Sequence, residues 1–175
     1  GGPEVAATDG GIAWAQDQST ANAGGAASTG TPSAFVNGDT NNPPATNHTY
    51  ANNATVTLGN SVPSGMPAVL FQTERYDQPA APPMEWDFPV TSGSTLEVRL
   101  YVAEIFTGNN GIAAPDERVF DVEVEGTIPA VFTGIDPFAL GGDSTLVGSM
   151  LVYTVEMTDS NLDVNFIHDM ENPAI

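Results

Sequence analysis

The chain lacks cysteine and lysine altogether and has almost no positive charge. Its 175 residues include 22 acidic side chains against only three cations, Arg75, Arg99 and Arg118, which gives a formal net charge of -19. Without cysteine the protein can form no disulfide, thiolate metal site or thiol nucleophile. With so few cations it cannot neutralise many phosphates, which excludes nucleic acid as a partner and disfavours an anionic membrane surface.

Long hydrophobic runs and the residues of common catalytic motifs are also scarce. No apolar stretch approaches the ~20 residues of a membrane helix, and no signal-peptide pattern is present, so we expect a mature chain or an excised domain. Its two histidines, His48 and His168, are not accompanied by a GxSxG or phosphate-loop motif. Carboxylate pairs for glycoside hydrolysis are too abundant here to be informative. We therefore predict that the chain is not an enzyme.

The excess of acidic residues fits two explanations. In saline surroundings dissolved salt would screen the self-repulsion, whereas in a calcium-loaded extracellular module bound cations would neutralise the carboxylates. Candidate calcium ligands are Asp136, Asp143 and the loop at residues 39–41. None has EF-hand or nonapeptide spacing, so solvated turn aspartates are the simpler interpretation, and we predict no cofactor.

Alternation of apolar and polar residues predicts strands throughout the second half of the chain. The clearest case is residues 96–106, where Leu96, Val98 and Leu100 share one face and Glu97 and Arg99 the other. Further strands are predicted at residues 69–76, 84–90, 119–125, 147–157 and 162–168. Residues 19–60 are rich in small and polar residues and predict long loops. The pattern indicates an all-β fold, an antiparallel β-sandwich, forming a single domain over residues 1–175.

Several charged residues interrupt these apolar segments. They are Glu74, Arg75, Glu104, Arg118 and Asp121. Charges inside strand-like runs are costly unless they are paired, and an arginine fork can satisfy two carboxylates in a fixed geometry. We interpret the five as structural ion pairs and predict that Glu104 and Arg118 are in contact beneath a site.

Five motifs carry a resemblance to a known family. They are FQTERYD (71–77), WDFPV (86–90), VRLYVAEIF (98–106), ERVFDVEVEG (117–126) and ENPAI (171–175). In this order they resemble the malectin domain, in particular the malectin-like modules of large secreted prokaryotic proteins. The resemblance implies a jelly-roll-like β-sandwich that binds carbohydrate. It also implies that the first and last strands of the family are missing from this chain.

The resemblance further implies a set of sugar-binding residues. Tyr76 matches the tyrosine that ends the TERY motif, and Phe106 matches an aromatic residue after the Ala-Glu pair. Thr107 stands where animal malectin has a second aromatic residue, and Glu171 stands where the family has aspartate. Phe35 is a looser match in the early loop. These departures leave the diglucose ligand of animal malectin in doubt without excluding another glycan.

We therefore predict a non-catalytic module of an extracellular or cell-surface protein that binds a neutral glycan through aromatic residues at the loop ends. Two sequons, at Asn47 and Asn53, are candidate N-glycosylation sites. The alternative is a structural subunit of a surface filament, adhesin or surface layer that uses the same fold without binding sugar. Such a subunit could assemble with copies of itself by exchanging a strand, because a sandwich short of strands has open edges.

Overall fold

The computed structural model describes residues 4–8, 13–15, 35–37, 49–77, 83–108 and 110–175, with residues 35–37 and 49 described by their backbone alone. The predicted sites Asn47 and 39–41 lie outside these ranges. The strands are β1 (Phe35–Asn37), β2 (Thr49–Ala51), β3 (Thr57–Leu58), β4 (Thr73–Arg75), β5 (Met84–Pro89), β6 (Thr95–Val102), β7 (Val119–Val124), β8 (Val147–Glu156) and β9 (Asn161–Met170). Within the described ranges there are also a four-residue helix, α1 (Pro137–Leu140), and two 3-10 turns (Ala68–Gln72 and Ala130–Phe132).

The strands form three sheets, and the fold is the predicted all-β sandwich. A four-stranded antiparallel sheet has the order β1-β5-β9-β7, and a three-stranded sheet has the order β3-β8-β6. In the second sheet β6 and β8 are antiparallel, whereas the short β3 runs parallel to β8. A small antiparallel sheet of β2 and β4 stands apart from both. No helix in the described part of the chain is long and apolar enough to cross a membrane.

The main core lies between the two larger sheets and follows from the alternation in their strands. The largest fully buried apolar side chains of this core are Phe120, Phe132, Phe166 and Met84. On β6, Val98, Leu100 and Val102 point into this core while Glu97 and Arg99 are exposed. Burial of these apolar side chains is the dominant stabilising contribution to the fold.

A second apolar cluster covers the other face of the three-stranded sheet. Its buried members are Val56, Val62, Phe71 and Ile105, and Tyr101 and Met150 of the sheet pack against them. Gly148 permits this close approach, because a Cβ atom there would stand 2.9 Å from the Phe71 ring. This second cluster holds residues 56–72 against the sheet and so positions β4, which follows directly.

Two predicted strands have different bounds in the structure. Residues 68–72 form a 3-10 turn after Pro67, and only residues 73–75 of the predicted strand 69–76 are extended in a sheet. The predicted strand 96–106 ends at Val102, because the backbone beyond it bonds to other segments. The Glu104 carbonyl accepts from the Leu146 N–H (2.8 Å), and the Phe106 carbonyl accepts from the Ile112 N–H (2.9 Å). Both departures shape the cleft described next.

Candidate functional site

A cleft of about 170 Å³ lies where the small β2–β4 sheet meets the loop after β6 and the C-terminal segment. Three aromatic side chains, three charged side chains and one amide line it: Tyr50, Glu74, Tyr76, Phe106, Arg118, Glu171 and Asn172. These residues come from five separate parts of the chain. Their convergence depends on the long-range pairing of the sheets rather than on any local motif.

The three rings form the walls of the cleft. Tyr50 and Phe106 meet edge to face, with ring centroids 5.4 Å apart and planes at 86°. Tyr50 is placed by β2, where it stands opposite Glu74 of β4. Tyr76 follows β4 directly, and its backbone forms an isolated antiparallel β-bridge with Ala174. All three rings are half-buried, so each is supported by packing and still reaches the cleft.

Arg118 is the centre of a buried polar network at the base of the cleft. Its Nε donates to the Glu104 Oε2 at 2.8 Å, and its Nη1 donates to the Asn172 carbonyl at 2.7 Å. Its Nη2 lies 3.9 Å from the Glu74 Oε1. The other oxygen of Glu104 accepts the Phe106 N–H at 2.8 Å. A single guanidinium therefore ties β4, the loop after β6, and the C-terminal segment together.

Burial perturbs both carboxylates of this network. Desolvation raises the pKa of Glu74 to about 7, the Arg118 charge opposes that shift, and the Glu104 charge adds to it. Desolvation also raises the pKa of Glu104, against the lowering effects of the Arg118 charge and the Phe106 N–H. Both shifts have the same origin, since a charged carboxylate loses its hydration in the interior. Perturbed groups of this kind are common at functional sites.

The C-terminal segment closes one side of the cleft by pairing with β4. Arg75 and Ile175 exchange two backbone hydrogen bonds, of 2.6 and 2.9 Å, and the Asp77 N–H donates to the Pro173 carbonyl at 3.1 Å. At the rim Glu171 has a left-handed backbone conformation with φ of 56°, and its carboxylate accepts from the Asn172 amide at 2.9 Å. A non-glycine residue is uncommon in this region, and the neighbouring Asn172, whose carbonyl bonds to Arg118, holds the turn.

Two further residues that the sequence analysis missed support the loops of the cleft. The Asn52 amide donates to the Ile105 carbonyl at 2.9 Å and to the Thr107 hydroxyl at 3.1 Å, which fixes the loop that carries Phe106. The His168 Nδ1 lies 3.2 Å from the Glu171 carbonyl, and its Nε2 lies 3.5 Å from the buried Asp77 carboxylate. Both residues hold the backbone of a cleft segment rather than lining the cleft.

The structure brings together some of the predicted site residues and separates others. Tyr76, Phe106 and Glu171 share the cleft, whereas Thr107 is held by Asn52 and does not line it. The backbone of Phe35 lies in β1 beside β5, and its side chain is outside the described part. Tyr50 was missed as a site residue, although with Phe35 it is one of the few large apolar residues in the loop-rich region 19–60.

The structure places three of the five predicted ion-pair residues in one buried network and two outside it. Glu74, Glu104 and Arg118 form the buried network, and the Glu104–Arg118 contact is the one that the sequence analysis expected. Arg75 is also buried, and its backbone forms two hydrogen bonds with the backbone of Ile175. Asp121 is not part of this network. It points away from the core, between Phe120 and Val122, and accepts the Gly134 N–H at 2.6 Å.

The remaining predicted residues lie away from the cleft. The two oxygens of Asp136 accept N–H groups from Ala139 (3.0 Å) and Asp116 (2.7 Å), so this side chain caps α1 and a neighbouring turn. Asp143 and the candidate glycosylation site Asn53 are exposed. Within the described part of the chain, no group of three or more His, Cys, Asp or Glu residues is arranged to hold a metal ion.

Comparison with known proteins gives a family and a fold. A family model described as the malectin domain matches residues 1–174. The crystal structure of the plant receptor-like kinase FER is 19% identical over 72% of this chain, with a TM-score of 0.61. The ANXUR1 extracellular domain from Arabidopsis thaliana is 14% identical over 72% of this chain, with a TM-score of 0.60.

A third similar structure, a Bacteroides uniformis beta-glucuronidase, is 16% identical and covers 98% of this chain, with a TM-score of 0.62. The chain spans only 37% and 35% of those two plant chains and 16% of the bacterial enzyme. No curated protein sequence matches. At these identities the structural similarity concerns the fold, so any role for the cleft has to be argued from its own residues.

Proposed function

The chain belongs to the malectin domain family, and from this premise we propose that it is a non-catalytic carbohydrate-binding module of an extracellular or cell-surface protein. The observation that supports this proposal is the convergence of Tyr76, Phe106 and Glu171 on one cleft from distant positions in the chain. Tyr50 adds a third ring to the same cleft. Of the similar plant structures named above, FER is a receptor-like kinase and ANXUR1 is represented by its extracellular domain, which is consistent with a location outside the cell.

The chemistry of the cleft suits a saccharide. Ring faces pack against the apolar C–H surfaces of a sugar, and the carboxylates and the Asn172 amide offer hydrogen-bond partners for its polar groups. The volume of about 170 Å³ is smaller than the ~300 Å³ of a typical small-molecule pocket. We therefore expect the cleft to hold the end of a glycan rather than to enclose an oligosaccharide.

The arrangement of the acids supports binding rather than hydrolysis. A glycosidase needs two carboxyl groups that flank the scissile bond. Glu104 is fully buried and already engaged by Arg118 and by the Phe106 N–H, Glu74 is 6% exposed and lies 3.9 Å from the Arg118 Nη2, and Glu171 lies at the exposed rim. The buried network is thus better suited to holding the walls of the cleft than to proton transfer.

The test is a glycan array followed by calorimetry on each positive sugar. Tyr76→Ala and Phe106→Ala should each weaken binding roughly tenfold or more. Loss of an aromatic contact costs ~1–1.5 kcal/mol in addition to the free energy of the apolar surface area that it buries. Phe88→Ala serves as the control, because Phe88 is a partly exposed ring on β5 that does not line the cleft. Absence of any binding sugar, or equal losses in all three variants, would reject the proposal.

The structural alternative, a subunit of a filament or surface layer, retains one supporting observation. β6 is eight residues long and stands at the end of the three-stranded sheet, with no second partner strand among the described residues. An open edge of this length is a template for strand addition. Electron microscopy and analytical ultracentrifugation test this alternative: concentration-dependent assembly without glycan binding would favour it over the carbohydrate-binding module.

A further inference from the structure

We propose that the cleft selects sugars that carry a free amine, that is hexosamine residues, over neutral sugars of the same shape. The inference deepens the proposed carbohydrate-binding function and rests on it. It comes from four observations on the cleft, namely its balance of charge, an unsatisfied carboxylate, the position of its rings, and the field around it.

The balance of charge in and beneath the cleft is negative. Glu74 and Glu171 line it, Glu104 lies directly below, and Arg118 is the single cation of the group. Arg118 directs its Nε to Glu104 and its Nη1 to the Asn172 carbonyl, and its Nη2 lies 3.9 Å from the Glu74 Oε1. A ligand thus meets two carboxylates and one guanidinium that is already bonded through two of its nitrogens.

Glu74 is the buried carboxylate that lines the cleft. Its side chain is 6% exposed, its Oε1 lies 3.9 Å from the Arg118 Nη2, and its carboxylate accepts no hydrogen bond from any described residue. A buried carboxylate without hydrogen bonds costs free energy, and burial accordingly raises the pKa of Glu74 to about 7. An ammonium group in the cleft would supply both a positive charge and N–H donors to this oxygen.

The three rings favour the same kind of ligand. Tyr50, Tyr76 and Phe106 line the same cleft as Glu74, and the Tyr50 and Phe106 rings meet edge to face. The face of an aromatic ring attracts a cation that lies within ~6 Å of its centroid, and several rings around one position form a cage for ammonium groups. A neutral hydroxyl gains nothing comparable from the ring faces.

The electrostatic field of the whole chain also favours a cationic ligand. The chain has no lysine, and its other two arginines are Arg75, which is buried and does not line the cleft, and the exposed Arg99, which pairs with Glu97 on β6. A net charge of -19 repels acidic sugars and attracts cationic ones before contact. The long-range field and the local site therefore act in the same direction.

The experiment uses calorimetry on three disaccharides that share one linkage and differ in one substituent: an ammonium group, an acetamide or a hydroxyl. Near neutral pH the ammonium-bearing disaccharide should bind roughly tenfold more tightly than the other two, in keeping with a cation–ring and ion-pair gain of ~1–2 kcal/mol. Glu74→Gln should remove most of this preference. Glu171→Gln should reduce it by roughly threefold, because Glu171 is exposed at the rim.

Two controls separate a local site from general attraction to an acidic protein. Glu123→Gln removes one charge from the outer face of the four-stranded sheet, away from the cleft, and should leave the preference unchanged. Added salt screens long-range attraction but much less the contact with the buried Glu74. A preference that vanishes in salt, or that falls equally in all three variants, would overturn the inference.

The remaining outcomes show whether the amine selectivity alone fails or whether the carbohydrate-binding function fails with it. If the three disaccharides bind with equal affinity, the amine selectivity is wrong and the carbohydrate-binding function stands. If none of them binds and no other glycan does, both proposals fail together. If Glu74→Gln does not fold, the Glu171→Gln rim variant still decides the outcome, because its exposed side chain carries no part of the core.

Discussion

Two groups of carboxylates in this molecule differ in how they are accommodated. Glu74 and Glu104 are buried beneath the cleft and share the guanidinium of Arg118. On the outer face of the four-stranded sheet Asp87 stands directly opposite Asp163 in neighbouring strands. No arginine pairs with this second group in the described part of the chain.

The outer group is held by hydrogen bonds instead of by a cation. The Asp163 N–H donates to Glu125 at 2.8 Å, and Asn161 donates to the Asp163 carboxylate. Burial, a hydrogen bond with Asp87 and the neighbouring negative charges raise the pKa of Asp163 to about 6. The difference teaches that a guanidinium pairs with the carboxylates buried beneath the cleft, whereas a raised pKa and hydrogen bonds accommodate the partly buried carboxylates of the outer sheet face.

The strongest test of this comparison is to remove the cation. Arg118→Ala leaves Glu104 fully buried without its ion pair and frees the Asn172 carbonyl, so the free energy of unfolding should fall by about 3–5 kcal/mol. Equilibrium denaturation in urea measures the change. Arg99→Ala is the matched control, since Arg99 is exposed and contacts Glu97 at the surface, and its effect should be far smaller. Equal effects would show that the buried network is not structurally special.

The second test uses pH to isolate Glu74. Its pKa is about 7 in the folded protein and ordinarily about 4.5, so between these values the folded state binds more protons than the unfolded state. Its contribution to stability is therefore complete below about pH 4.5 and is lost as the pH rises to about 7, by up to about 3 kcal/mol. Glu74→Gln should not show this loss, and its stability relative to the parent should rise across the same interval.

Denaturation of both proteins at matched pH values measures this difference and cancels the titration of the other acids. Two parallel profiles would mean that Glu74 is hydrated in the folded state. Asp121→Asn, at a half-buried aspartate outside the network, is the control for the removal of one carboxylate from the chain.

Much of the framework could be predicted from local patterns. The strands at β5, β7, β8 and β9 were predicted to within a few residues, because alternation of apolar and polar side chains is a local property of each segment. The Glu104–Arg118 contact was also predicted, because a buried charge needs an opposite one and this chain has few cations.

The parts that could not be predicted depend on contacts between distant segments. The 3-10 turn at residues 68–72 has the apolar content of a strand, but Phe71 turns inward to pack on Gly148 and Tyr101. Asp121 was predicted to form an ion pair, but its carboxylate accepts the backbone N–H of Gly134 instead. Tyr50 reaches the cleft only because the three-residue β2 pairs with β4.

The smallest expected effect concerns the outer carboxylates. Asp163→Asn removes one of two like charges that stand directly opposite each other, so it should stabilise the fold, but by less than about 1 kcal/mol because both side chains are only partly buried and solvent screens their repulsion. Thermal melts at low and high salt measure the gain, which should shrink as salt screens the repulsion from Asp87. Asp169→Asn, at an exposed position near the end of β9, is the control and should change little. A large destabilisation in Asp163→Asn would instead mean that the outer carboxylates form a specific bonded structure, and the contrast with the network around Arg118 would be lost.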